Sequence, residues 1–119
     1  MSSRLVVSIT NGKNNVDSAT VGVVVANAGL AAGKEVFIWL SLDGVYLSQQ
    51  GYVDGVHVDG FQPLTDLIAS FAENGGQMIV CPPCFKTRSL DEAKLVKNAV
   101  LAGGARLVEV MQDASCISY

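Results

Sequence analysis

Long apolar runs, clustered positive charge and a dense set of cysteines are all missing from this sequence, and each absence excludes a class of function. No apolar stretch approaches the roughly 20 residues of a membrane-spanning helix. Lys and Arg together number 8 in 119 residues, and the net charge is −3. These cations are scattered, whereas nucleic-acid binding needs a concentrated basic footprint. Three cysteines are too few for the disulfide framework of a small secreted domain. Met1-Ser2-Ser3-Arg4 runs straight into a strand-like segment without the apolar core of a signal peptide. Gly12-Lys13 lacks the rest of a phosphate-binding loop pattern, so no nucleotide or other cofactor is expected. These features predict a cytoplasmic protein that contacts neither membrane nor nucleic acid.

Charge of either sign is sparse, at 16% of residues against 50% hydrophobic. That apolar content suits one compact domain over residues 1–119. It also implies that a partner chain covers some apolar surface. No internal repeat, low-complexity tract or domain boundary interrupts the chain.

Leu5–Ile9 is a continuous β-rich run, the pattern of a strand buried on both faces. Asn11-Gly12 marks a turn. Asp17 or Ser18 is positioned to cap a helix reaching about Ala32, with Gly33 as its stop. That helix carries no charge between Asp17 and Lys34, and Asn27 is its one large polar residue. A helix apolar nearly all round needs cover on both sides, and in so small a domain one side falls to a neighbouring subunit. Glu35–Leu40 predicts the second strand, and Val45–Gln50 a short helix. Asp54-Gly55 and Asp59-Gly60 punctuate a loop. Pro63 opens a helix with Leu64, Leu67, Ile68 and Phe71 at core spacing, closed by Asn74-Gly75-Gly76. Gln77–Val80 predicts the third strand, Leu90–Val100 a helix, Ala105–Met111 further helical turns and Cys116–Tyr119 a last short strand. Alternating strands and helices predict a three-layer α/β/α domain with a mostly parallel sheet.

Cys81-Pro82-Pro83-Cys84 carries the most chemistry. It lies where the third strand gives way to a helical stretch, and reactive groups gather at such strand ends. A thiolate there gains from helix N–H groups and nearby cations, which lower its pKa; Lys86 and Arg88 are the cations at hand. Three chemistries use such a pair. In sulfur transfer, Cys81 takes a sulfane sulfur as a persulfide and a second thiol removes it, a relative of thiol–disulfide exchange. In redox chemistry, Cys81 and Cys84 cycle between dithiol and disulfide. In a zinc site, the pair would need His57 and distant Cys116, because a second closely spaced pair is missing. The bland alternative is two small buried hydrophobes. Cys116 reads as a packing residue of the last strand and His57 as a solvated loop residue. The Asp-Gly pairs are turn formers first. Tyr46 and Gln49 would line a pocket with the thiols if the segment after Asp43 folds over the sheet edge.

The ordered set Ala26-Asn27-Ala28, Gly33-Lys34, Asp43-Gly44-Val45, Gly75-Gly76, Cys81-x-x-Cys84, Arg88-Ser89-Leu90 and Ala102–Ala105 resembles the DsrE/DsrF-like family of small sulfur-relay proteins over nearly the whole chain. The resemblance implies an α/β/α fold and assembly into trimers or hexamers. It also implies sulfur carried as a persulfide on the cysteine that Cys81 matches, with Cys84 matching a second cysteine found in a subset of members. Partners would then be sulfur donor and acceptor proteins or small thiols. This sequence departs from the pattern at Ser89, where the family usually has Gly, and at Pro82-Pro83, which stiffens the segment between the thiols. The site residues expected to act are Cys81, Cys84 and Arg88. A different class remains open, a non-catalytic oligomeric subunit that binds a small ligand and whose cysteines are incidental; an ordinary or raised Cys81 pKa favours it.

Overall fold

A computed structural model describes residues 3–119. Five strands, β1 (Arg4–Ile9), β2 (Glu35–Leu40), β3 (Gln77–Val80), β4 (Ala99–Leu101) and β5 (Ala114–Ser118), form one parallel sheet in the order β4-β3-β2-β1-β5. The main helices are α1 (Val16–Ala31), α2 (Leu64–Glu73), α3 (Pro82–Thr87) and α4 (Gly104–Met111), and Leu42–Ser48 winds as a 3-10 helix.

Chain direction decides which helix covers which face. From β1 to β4 each strand is laid down beside the last, so right-handed crossovers place α1 and α2 on one side. The step from β4 to β5 runs back across the sheet and places α4 on the other. The larger core follows the first side: Val7, Ile9, Val36, Ile38, Leu40, Met78 and Val80 pack with Ala19, Val23 and Ala26 of α1 and with Leu64, Leu67, Ile68 and Phe71 of α2. On the second side Val6, Phe37 and Ile79 meet Val110 of α4, with Trp39 and Leu107 alongside. One eight-residue helix does not cover that face, and Val100, Val108, Met111 and Ile117 are exposed.

Helix α1 is apolar on every side, as its composition predicts. Val21, Val24 and Val25 are only half-buried, and Ala28 and Ala31 are exposed. Asn27 donates to the Leu67 carbonyl at 3.0 Å and ties α1 to α2. The cap is Asn15 in place of Asp17 or Ser18: its side-chain oxygen accepts from Ser18 N–H at 3.1 Å. Asp17 instead places negative charge in the first turn, where the helix dipole favours it.

The expected helix over Leu90–Val100 does not form. The helix begins earlier, at Pro82, because proline suits the first helical positions, where its fixed φ is pre-set and its missing N–H costs nothing. It stops at Arg88, and a Schellman motif closes it: Ser89 N–H bonds Lys86 O at 3.0 Å and Leu90 N–H bonds Phe85 O at 3.3 Å. Beyond it, backbone groups are engaged elsewhere. Gln50 N–H bonds Lys94 O at 2.8 Å, Val96 N–H bonds Ser48 O at 2.9 Å, and Met78 N–H bonds Asn98 O at 2.8 Å. Only a single 3-10 turn, Glu92–Lys94, survives, followed by β4. The Val45–Gln50 helix also differs, forming as the 3-10 helix Leu42–Ser48.

Ser89 holds φ at +53°. The turn after Arg88 thus keeps the left-handed geometry that glycine adopts freely, with a side chain that pays for it. Ser89→Gly is expected to raise stability by about 0.5–1 kcal/mol, read as a higher urea midpoint at unchanged slope; an unchanged or lower midpoint would refute strain at this residue.

Candidate functional site at the end of β3

Cys81 is the hinge between sheet and helix. Its N–H still follows the strand ladder, bonding Leu40 O at 3.0 Å, while its carbonyl already accepts the first helical bond from Phe85 N–H at 3.0 Å. Pro82 and Pro83 have no N–H, so Cys84 supplies the first amide of α3; Cys81 makes no side-chain capping hydrogen bond, but that amide favours its thiolate. Phe85, fully buried, anchors the turn in the core. The two thiols are therefore one helical turn apart and both half-buried.

Arg88 caps the other end of α3. Its Nη1 donates to Cys84 O at 3.2 Å and its Nε to Asp43 Oδ1 at 2.9 Å. Asp43 belongs to the 3-10 helix after β2, which packs against α3. All three residues expected to act, Cys81, Cys84 and Arg88, thus meet in one cluster. Asp43, read in the sequence as a turn former, joins it as an ion-pair partner.

The electrostatics differ from expectation. Burial pushes the Cys81 thiol above its ordinary 9.0; the Cys84 N–H pulls it back, the neighbouring Cys84 thiol raises it further, and Arg88 lowers it least. Arg88 does lower the Cys81 pKa, as expected, but burial outweighs it, and exposed Lys86 is not among the causes.

Other candidates lie elsewhere. Gln49 is buried and exchanges hydrogen bonds with the Asp91 backbone. It lines a largely apolar cavity of ≈ 380 Å³ with Leu47, Ile68 and Val96, which neither thiol reaches. Tyr46 stacks on Tyr52, ring centroids 5.1 Å apart. Tyr52 Oη in turn accepts from Lys13 N–H at 2.7 Å, clasping the loop after β1. Exposed His57 bonds Phe61 O at 2.6 Å within its own loop. Cys116 is exposed on β5 and does not serve as the buried packing residue expected. Among the described residues no group of three His, Cys, Asp or Glu side chains is placed to hold a metal ion, and no helix is long and apolar enough to cross a membrane.

The DsrE/DsrF-like family profile matches residues 3–118. The chain belongs to the DsrE/DsrF-like family. Its general type is sulfur relay, which fits a thiol pair presented at a strand end. "Uncharacterized protein MK0008" of Methanopyrus kandleri is 26% identical over 115 residues, 97% of this chain and 92% of that relative. Solved DsrE-like neighbours share the fold at low identity. The ychN protein from E. coli superposes with a TM-score of 0.79 at 12% identity over 100% of both chains. MTH1491 from Methanobacterium thermoautotrophicum, a protein of unknown function, superposes with a TM-score of 0.74 at 12% identity over 98% of both. The α/β architecture expected of the family is the one observed, with a sheet parallel throughout.

Proposed function

We propose that this protein is a cytoplasmic sulfur carrier that holds sulfane sulfur as a persulfide on Cys81. The observation that carries the reading is the Cys81–Cys84 turn, where one thiol stands at the start of α3 and the second one turn away. The Cys81 thiolate attacks the outer sulfur of a donor persulfide; the donor S–S bond breaks, and the donor leaves as a thiolate. The outer sulfur of Cys81–S–SH then passes to an acceptor thiol. Alternatively, the Cys84 thiolate attacks Cys81 Sγ, closing a disulfide and expelling hydrosulfide. Arg88 favours the anionic forms in both steps.

Intact-protein mass spectrometry after exposure to inorganic polysulfide tests this. Gain of one reductant-labile sulfur atom supports the carrier. Loss of two hydrogens without sulfur points to a dithiol redox couple. No change supports the second reading, a small-ligand-binding subunit with incidental thiols, which the raised Cys81 pKa favours.

We further propose that the chain works as a homo-oligomer, a trimer or hexamer. The uncharged outer face of α1 and the apolar residues left bare beside α4 support this. Light scattering at micromolar concentration is expected to return the mass of three or six chains; the mass of one chain would overturn it.

A further inference from the structure

Among the described residues, Arg88 is the one cation whose charge lowers the Cys81 pKa, and its placement is set from outside α3. Its Nε is bound by Asp43 Oδ1 at 2.9 Å, while Nη1 caps Cys84 O at 3.2 Å. The pair is half-sheltered, with side-chain exposures of 23% for Arg88 and 41% for Asp43. Such a pair keeps part of its electrostatic strength and is screened for the rest. The remaining titratable groups near the thiol are accounted for. On α3 they are Cys84, which acts on Cys81 directly, and exposed Lys86. The 3-10 helix packed against α3 contributes Asp43 and Tyr46, and Tyr46 is stacked on Tyr52. Lys13, from the loop after β1, lies over the Tyr52 ring at 4.6 Å.

We infer that Asp43 is a positioning residue: it holds the Arg88 guanidinium against the C-terminal end of α3 and takes up part of the charge that would otherwise act on the Cys81–Cys84 pair. Asp43 does not touch the thiols; it acts through Arg88. This gives the Asp-Gly-Val segment after β2 a role in the chemistry as well as in the turn. It also couples two loops at the carboxyl edge of the sheet, so an anion that competes for Arg88 would change thiol reactivity without touching sulfur. The inference deepens the sulfur-carrier reading and rests on it for its significance, but its test does not need sulfur transfer.

The test is the pH profile of Cys81 alkylation by iodoacetamide, read by peptide mass spectrometry on the full chain. Wild type is expected to titrate with a midpoint above 9.0, the ordinary thiol value. Asp43→Asn frees the guanidinium charge, so the midpoint is expected to fall and the rate at pH 7.5 to rise about threefold, the size of effect a partly exposed charge exerts. Asp43→Glu is expected to restore the wild-type midpoint. In an Arg88→Gln background, Asp43→Asn is expected to move nothing. An unmoved midpoint in Asp43→Asn, or an equal fall with and without Arg88, would overturn the inference; the latter would mean that Asp43 acts on the thiol directly. Because Asp43 is part-exposed, loss of the fold is not expected. Should Asp43→Asn nevertheless fail to fold, Asp43→Ser gives the same comparison. Polysulfide loading of the same variants reports separately on the carrier, so a chain that takes up no sulfur yet shows the Arg88-dependent shift sinks the carrier reading and leaves this one standing.

Discussion

Cys81→Ser is expected to take up no reductant-labile sulfur from polysulfide under conditions that load the wild-type chain. A serine hydroxyl is far less acidic than a thiol and does not form the S–S bond that a persulfide requires. The fold should tolerate the change, since the replacement is of similar size and the helix-initiating prolines and the Phe85 anchor are untouched. Cys84→Ser is expected to behave differently. It retains loading, and the bound sulfur lasts longer, because the thiol that would attack Cys81 Sγ is gone. The pH dependence follows from the direction of the Cys81 shift. With the folded thiol titrating above 9.0, the thiolate is a minority species at neutral pH. Uptake should then climb about tenfold per pH unit up to the midpoint, in step with thiolate concentration. Equal sulfur gain by Cys81→Ser and wild type would eliminate Cys81 as the carrier. Uptake indifferent to pH would mean that the reacting sulfur is not this one.

Gly44→Ala is expected to lower stability by about 3 kcal/mol, near the upper end of overpacking costs. For a chain of this size that is a fall of roughly 10 °C in melting temperature. A methyl group at this position would be driven into the Ile9 carbonyl oxygen and would stand 2.9 Å from Ile9 C. Both are backbone atoms, so no side-chain rotation relieves the overlap. The 3-10 helix would have to lift off β1, dragging fully buried Val45 and nearly buried Leu47 with it. Gly104→Ala is the control: nothing lies within 4 Å of an added Cβ there, and alanine suits the start of α4, so stability should hold or rise slightly. Equal melting of the two variants would show that Gly44 is not the seat of the close approach.

Most of the architecture was legible because parallel strands buried on both faces leave unbroken apolar runs. Leu5–Ile9, Glu35–Leu40 and Gln77–Val80 all appear where those runs predict. Helix α2 was legible through core spacing ended by glycine. The failures cluster between Ser89 and Leu101. Leu95, Val96, Ala99 and Val100 satisfy a helical period and a short strand equally, and periodicity alone does not separate the two. What decides is remote: the Asn98 carbonyl is taken by Met78 and the Val96 amide by Ser48. The site divides in the same way. Cys81, Cys84 and Arg88 announce themselves through spacing within one segment. Asp43 pairs with Arg88 across 45 positions, and no local pattern signals that. The direction of the Cys81 pKa depends on burial, a property of the folded whole; sequence offered only the neighbouring cations and so pointed the wrong way.

The strand order also sets how far along the chain each pairing must reach. β1 is bordered on one side by β2, its near neighbour along the chain, and on the other by β5, whose Ala114–Ser118 pair with Arg4–Ser8 in register. A sheet of β1–β2–β3–β4 alone would leave one edge of β1 bonded only to water. Closing that edge joins Arg4–Ser8 to Ala114–Ser118, a pairing of large separation along the chain and so of high loop-closure entropy. β5 is therefore the strand that covers the apolar edge of β1, and loss of its pairing would leave that edge open to other chains.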